Sequence, residues 1–467
     1  MRTFFLLAAA VTLAVVAIVF AFRASEEERS RYQTTAAEAP RFLSGRVFSG
    51  TSPLAGARVR IQGHSEFVHA DAEGRFTLRE PPDAEGVITA AKEGYLIAGL
   101  PAATKPLDLR LTALPAADCE RYQWVDPEPN AEHAGACGNC HPGIYDEWRE
   151  SAHARSAVNR RLRNLLDGSD WQGNVGHGWS LAGEYPEGVA VCSSCHVPSL
   201  DETADDFDLR RASGVAAKGV HCDFCHKIRA TATDTAGLTH GRFGYELLRP
   251  SQGQIFFGPL DDVHRGEDVY SPLEQESRFC AACHEGTLFG VPVYTTWSEW
   301  LASPAAREGR QCQSCHMAPS GMMTNIAPSS GGLERDPATL ASHALLPGGR
   351  ETMLRHAVAL SIGDVRGEDS IELTVTLEAM QIGHRMPTGF IDRHLVLVME
   401  PFGPGGEPLQ PLDGPRLPEA AGEKLVGKAG HIFAKLLTDT AGHAPAPFWR
   451  AGVSLTDTRL LPDKAES

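Results

Sequence analysis

Between Cys137 and His316 the pattern Cys-x-x-Cys-His occurs five times: Cys137-Gly-Asn-Cys140-His141, Cys192-Ser-Ser-Cys195-His196, Cys222-Asp-Phe-Cys225-His226, Cys280-Ala-Ala-Cys283-His284 and Cys312-Gln-Ser-Cys315-His316. Each reads as an attachment site for haem c, in which two thiols form thioethers to one porphyrin and the next imidazole binds its iron. Zinc ribbons and redox dithiols need the paired cysteines but not a histidine directly after them. Histidine fills 19 of 467 positions, so five chance placements in that slot have odds on the order of one in ten million. Ten of the eleven cysteines are used. Cys119 is left over, a free thiol or one half of an intermolecular bridge. Cysteine richness here marks five covalently held iron cofactors, not a disulfide scaffold.

Compartment and partners follow next. The run Phe4–Phe22 is unbroken apolar sequence with Arg2 before it and Arg23 after it. As a helix it would extend roughly 28 Å, close to the thickness of a bilayer's hydrocarbon. We expect an uncleaved signal anchor, a transmembrane helix over 1–24, in preference to a cleaved signal peptide. That reading places the protein on the inner membrane facing the periplasm, the side on which haem c is attached. The net charge of -16 excludes nucleic acid as a partner, since phosphate binding needs clustered Lys and Arg. Other redox proteins or quinol-linked electron donors are the expected partners, with a homo-oligomer left open.

The expected architecture is multidomain: the N-terminal transmembrane helix, a small all-β sandwich, a mainly α and irregular multihaem domain, and a C-terminal β domain. Residues 25–40 are polar and charged, a linker. Over 41–114 short alternating runs (RVFSG, ARVRIQG, EFVHA, RFTLRE, GVITAA, LDLRLTAL) are separated by Gly, Pro and Asp and read as strands. Asp71-Ala-Glu-Gly74 looks like a hairpin turn. Residues 115–136 form a second linker, 137–348 the pentahaem domain and 349–467 the C-terminal β domain. The strand-like GVSLTDTRLLP lies close to Ser467, so a sandwich short of its last strands is one reading. Gly45-Arg-Val47, Pro53-Leu-Ala-Gly-Ala57, Asp71–Phe76 and Gly94-Tyr95 resemble a carboxypeptidase-regulatory-like β-sandwich. The resemblance implies a spacer or docking module.

Within the haem region the first cysteines are separated by 55, 30, 58 and 32 residues. Glu147-Trp148-x-x-Ser151-x-His153 follows the first motif, and Glu299-Trp300-x-x-Ser303-x-Ala305 follows the fourth. The repeat suggests a duplication that kept a helix and lost one ligand. About 36 residues per haem are too few for an ordinary aliphatic core, so porphyrins should fill the interior.

The second axial ligand separates an electron carrier from a catalyst, because a second imidazole saturates the iron and an open face binds substrate. Fourteen histidines lie outside the motifs. His153, His264, His343, His384 and His221 are the candidates, ahead of His177, His240 and His356. Met317, Met322 and Met323 are alternatives that more often serve packing.

From Tyr122 to Asp463 the chain resembles the multihaem c-type cytochromes of the cytochrome c-554 / c-552 type, related to hydroxylamine oxidoreductases and multihaem nitrite reductases. The residues carrying this are Cys137–His141 with Glu147-Trp148-x-x-Ser151-x-His153, Gly219–Lys227, Cys312–Met317 and Gly383-His-x-x-Pro-Thr-Gly389. The resemblance implies closely stacked haems, mostly with two histidine ligands, and His153 as a distal ligand. Every motif here ends in histidine, which departs from the Cys-x-x-Cys-Lys of pentahaem nitrite reductases. The leading expectation is a membrane-anchored pentahaem electron-transfer protein with no catalytic residues. The alternatives are an oxidoreductase acting on a small nitrogen or sulfur compound at an open-face haem, and a quinol-oxidising cytochrome.

Overall fold

A computed structural model describes residues 41–80, 86–200, 207–346 and 349–467. At its N-terminal end two four-stranded sheets enclose one apolar core. The first pairs Phe42–Ser49 with Ser52–Pro53 and Arg75–Arg79 antiparallel and with Leu107–Leu111 in parallel. The second runs Phe67–His69, Arg58–Ile61, Val87–Ala91, Ala98–Pro101. Alternating residues turn inward, so Leu43, Val47, Val59, Ile61, Phe76, Leu78, Ile88, Leu107, Leu109 and Leu111 meet between the sheets. Gly45 lies where the parallel strand comes closest, and a Cβ there would collide with the Leu107 carbonyl oxygen.

The Asp71–Gly74 turn forms, with Asp71 Oδ1 accepting from the Arg75 backbone N–H at 2.7 Å and Gly74 at φ 71°. It does not close a hairpin, because the strands it joins lie in different sheets.

The expected architecture needs one correction. Crossing a bilayer takes about 20 consecutive apolar helical residues. No helix among the described residues is long and apolar enough to do so. The longest α-helix among them, Gly349–Ala357, has 9 residues. The segment 1–24, where a transmembrane helix is expected from sequence, lies outside the described residues, as does the linker 25–40. The architecture is multidomain and made of small sheets and short helices.

Residues 115–136 contain neither helix nor strand, yet they are pinned to the haem region at several points. Asp118 pairs with Arg249, Glu128 with Lys218, and Asp223 Oδ2 accepts from the Val125 N–H at 2.8 Å. From 137 onward, helical turns and two-stranded ribbons alternate. Beyond Gly349 the hairpin Val358–Arg366/Ile371–Ala379 is joined by Ala465–Glu466. A second sheet orders His394–Val398, Gly430–Asp439 and Gly452–Asp457. The haem region is not emptied of aliphatic core as its length suggests. Leu166, Leu181, Val189, Leu209 and Val293 share one buried cluster with Ile391, Leu437, Phe448 and Trp449 of the C-terminal part.

Charge fixes the sandwich to the haem region. The buried Asp261 carboxylate meets Arg58 Nε at 2.8 Å and Arg60 at 2.7 Å, and Asp262 Oδ2 accepts from the Gly63 N–H at 2.7 Å. Removing one partner of an enclosed ion pair strands the other charge, at a cost of about 3 kcal/mol or more. Asp261→Ala is therefore expected to lower unfolding free energy by about 3 kcal/mol in denaturant titration of the holoprotein. A loss below about 1 kcal/mol, the range of a surface pair, would show the contact to be incidental.

Candidate functional site

All five motifs adopt helical turns: Cys137–Cys140, Cys222–Cys225 and Cys312–His316, with the others inside Val189–His196 and across Ser277–Cys280 into Ala281–His284. A helical turn puts residues three apart on one face, so both thiols of each motif project to the same side.

The imidazoles show how the sites are aimed. His141 Nδ1 lies 2.7 Å from Ile326 O, His196 Nδ1 3.3 Å from Ser156 O, His226 Nδ1 2.5 Å from Phe257 O and His316 Nδ1 3.2 Å from Leu345 O. A carbonyl only accepts, so the ring proton sits on Nδ1 and the Nε2 lone pair is left for a metal. Burial pushes His141 and His196 below the usual histidine range and His284 down to about 3. Neutral rings are what metal ligation requires.

Cysteines of different motifs are near neighbours: Cys137 and Cys222, Cys195 and Cys283, and Cys280 and Cys312. No cysteine forms a disulfide. A cleft is lined by Cys192, Cys195 and His196 together with Tyr294, Phe390 and Phe448. Paired thiols, a neutral imidazole and an apolar and aromatic wall suit a porphyrin held by thioethers, so the residues present fit haem c.

The candidate second ligands separate by geometry. His153 faces the His284 ring with centroids 6.2 Å apart, and His384 faces His316 at 6.2 Å. Two imidazoles on opposite sides of one metal, at about 2 Å per bond, bring their ring centres to roughly 6 Å. Burial, then the neighbouring His196 and His316, lowers His153 to about 4. His343 is lowered to about 4 by burial and then by His226 and His141, which places it near those two motif rings. The Nδ1 atoms of His343 and His384 rest on the carbonyls of Ala341 at 3.2 Å and Arg385 at 3.0 Å, the same anchoring as in the motifs.

His264 is exposed, with Nδ1 3.3 Å from Ile97 O and its ring against Gly99 of the sandwich. His221 carries the opposite tautomer. Its Nδ1 accepts from the Phe224 N–H at 3.4 Å, so the proton sits on Nε2, which is buried without a partner. Its ring packs edge-on against Trp124. Ala305 is buried, and a Cβ added at Gly383 would lie 3.3 Å from its methyl. The two small residues let the His384 loop settle there.

Residues not singled out from sequence complete the surroundings. Asp223 and Lys227 form a fully buried ion pair one helical turn apart. Lys227 Nζ stands 4.1 Å above the Phe256 ring, and the Tyr122 hydroxyl lies 2.9 Å from Asp223 Oδ2. Glu274 Oε1 lies 3.5 Å from His226 Nδ1. Burial opposes charge on that ring, but Glu274 outweighs it and lifts His226 to about 9. Asp223 and Lys227 flank Cys225-His226, so only their i,i+4 spacing was visible beforehand. Nothing in the sequence links Glu274 to His226.

A family model described as "Cytochrome c554 and c-prime" matches residues 136–227, which contain the first three motifs. No curated protein matches. A solved penta-heme cytochrome c552 from Thermochromatium tepidum is similar at 23% identity and a TM-score of 0.48, covering 71% of this chain and 84% of its own.

Among the motif imidazoles described above, His226 has an anionic neighbour, Glu274, in addition to its backbone carbonyl. An anion beside the ring proton raises ligand basicity and favours the oxidised metal. Glu274→Gln is expected to raise the midpoint potential of the haem bound at Cys222 and Cys225 by about 60 mV, a tenfold change for one electron. Spectroelectrochemical titration reads it, and an unchanged potential would show that Glu274 does not tune that site.

Proposed function

We propose, for a chain that is a multihaem c-type cytochrome, that it relays electrons through five haems held mostly between two imidazoles, without a catalytic side chain. The observation that carries this is the facing of His153 with His284 and of His384 with His316 at 6.2 Å. Haem c supplies a one-electron iron centre to each motif. The protein's own work is to aim the imidazoles, keep them neutral and set the attachment points side by side. Neighbouring cysteines set the first motif beside the third, the second beside the fourth and the fourth beside the fifth. His343 is proposed as the second ligand opposite His226.

We further propose that the protein acts outside the cytoplasm, where haem c attachment takes place, and exchanges electrons with other redox proteins. The acidic net charge of -16 favours basic partners through steered encounter.

Electron paramagnetic resonance of the purified protein tests the relay. Low-spin iron at the haems is the expected result. A five-coordinate high-spin signal would instead support the oxidoreductase alternative. His384→Ala and His153→Ala should each convert one iron from low to high spin and raise its midpoint potential, with haem content unchanged. Spectra identical to the parent protein would overturn the assignment of those two rings.

A further inference from the structure

The Glu-Trp-x-x-Ser frame recurs in three dimensions with its contacts intact. In the helix Pro142–Arg149, Trp148 Nε1 donates to Val220 O at 2.9 Å, two residues before Cys222. In the helix Thr296–Leu301, Trp300 Nε1 donates to Arg310 O at 2.9 Å, two residues before Cys312. The serines match too. Ser151 Oγ accepts from the Ala154 N–H at 3.2 Å, and Ser303 Oγ from the Ala306 N–H at 3.4 Å. In each case the motif before the helix lies beside the motif held by the tryptophan, Cys137 near Cys222 and Cys280 near Cys312. The molecule therefore contains two copies of one clasp: a helix, the motif before it and a motif after it.

The glutamate of each clasp reaches a distant loop. Glu147 Oε2 accepts from the His343 N–H at 2.7 Å and from Ser342 Oγ at 3.1 Å. Glu299 Oε2 accepts from the Arg385 N–H at 3.2 Å and from Thr388 Oγ1 at 2.7 Å. Both loops carry a histidine whose Nδ1 rests on a local carbonyl. In the second clasp that histidine, His384, faces His316 of the motif held by the tryptophan. In the first clasp the equivalent histidine is His343, and the equivalent motif ring is His226.

We propose that Glu147 and Glu299 are equivalent positioning residues, each fixing the backbone of the loop that presents a second imidazole to the later haem of its clasp. This rests on the two-imidazole reading above and adds what holds those imidazoles in place. Neither glutamate touches the metal site. Each receives a backbone N–H and a hydroxyl, so the loop is held at two points and its histidine cannot swing away. The carboxylate, not its charge, is the functional element toward the loop, since both contacts need only acceptor oxygens.

The test uses the full-length holoprotein, with haem counted by the pyridine haemochrome and spin state read by electron paramagnetic resonance. Glu147→Ala is expected to keep five haems while one iron's share of the low-spin signal becomes high-spin. Added imidazole should restore it, which a merely structural defect would not allow. Glu147→Gln and Glu299→Gln keep an acceptor oxygen and should retain the parent spectrum. Glu299→Ala should behave as Glu147→Ala. Arg459 pairs with Glu299 at 2.7 Å inside the protein, so should that variant not assemble, Glu299→Ala/Arg459→Met removes both charges and is read the same way. Parent-like spectra for the alanine variants, with His343→Ala and His384→Ala each losing a low-spin iron, would overturn the positioning role and leave the ligands standing. A parent protein without two-imidazole low-spin iron would overturn the underlying reading itself.

Discussion

An imidazole is a useful metal ligand only while it is neutral and its other nitrogen is committed elsewhere. Burial meets that requirement at His141, His196 and His284, whereas Glu274 lifts His226 to about 9. The carbonyls that take the Nδ1 protons come from far along the chain: Ile326 for His141, Ser156 for His196 and Phe257 for His226. A single helical turn does not hold its own shape in water. The motifs are therefore fixed from outside, by the segments that accept the ring protons of His141, His196, His226 and His316. The long irregular connections are the distances the chain must travel to put those acceptors in place.

The same economy explains why the C-terminal part belongs to the site. Glu299 sits between Arg459 and Thr295 on one oxygen and the His384 loop on the other. Arg459 is shared with Asp457 at 2.8 Å, and Lys435 Nζ reaches Pro292 O at 2.7 Å and Thr295 Oγ1 at 2.9 Å. Burial lowers Lys435 to about 8 and raises Asp392 to about 7. These groups lie across the seam between the ribbon Val291–Thr295 and the strands Gly430–Asp439 and Gly452–Asp457. Enclosed charges of this kind contribute little net stability but penalise any other arrangement. They fix where Gly383–Gly389 lies, and so where His384 points.

The attachment residues were legible because covalent chemistry fixes their spacing. The six strand-like runs of the sandwich were legible because its strands alternate. The strand Gly430–Asp439 was not, since it is buried along most of its length and reads as a plain apolar run broken by Lys435. The turn at Asp71–Gly74 was read from its glycine, but whether a turn pairs its strands or carries the chain between sheets is decided by packing. The proximity of His153 to His284 and of His384 to His316 was not legible, because the partners lie far apart in the chain. Nor was the His221 Nδ1 contact that caps the turn of its own motif, which depends on the ring's orientation.

Motif spacing alone does not show which motifs are held together. The intervals of 55, 30, 58 and 32 residues only alternate between long and short. The tryptophan contacts pair the first with the third and the fourth with the fifth. Between Trp148 and Cys222 lies the whole segment carrying Cys192–His196, whereas Trp300 and Cys312 are separated by one short helix, Pro304–Arg307. The second motif is thus an insertion inside the first clasp. It borrows its core from outside: Leu166, Leu181 and Val189 pack on Phe448 and Trp449, and Tyr294 and Phe390 line its cleft. The haem of the second motif lies outside both clasps, and its surroundings come instead from the C-terminal part.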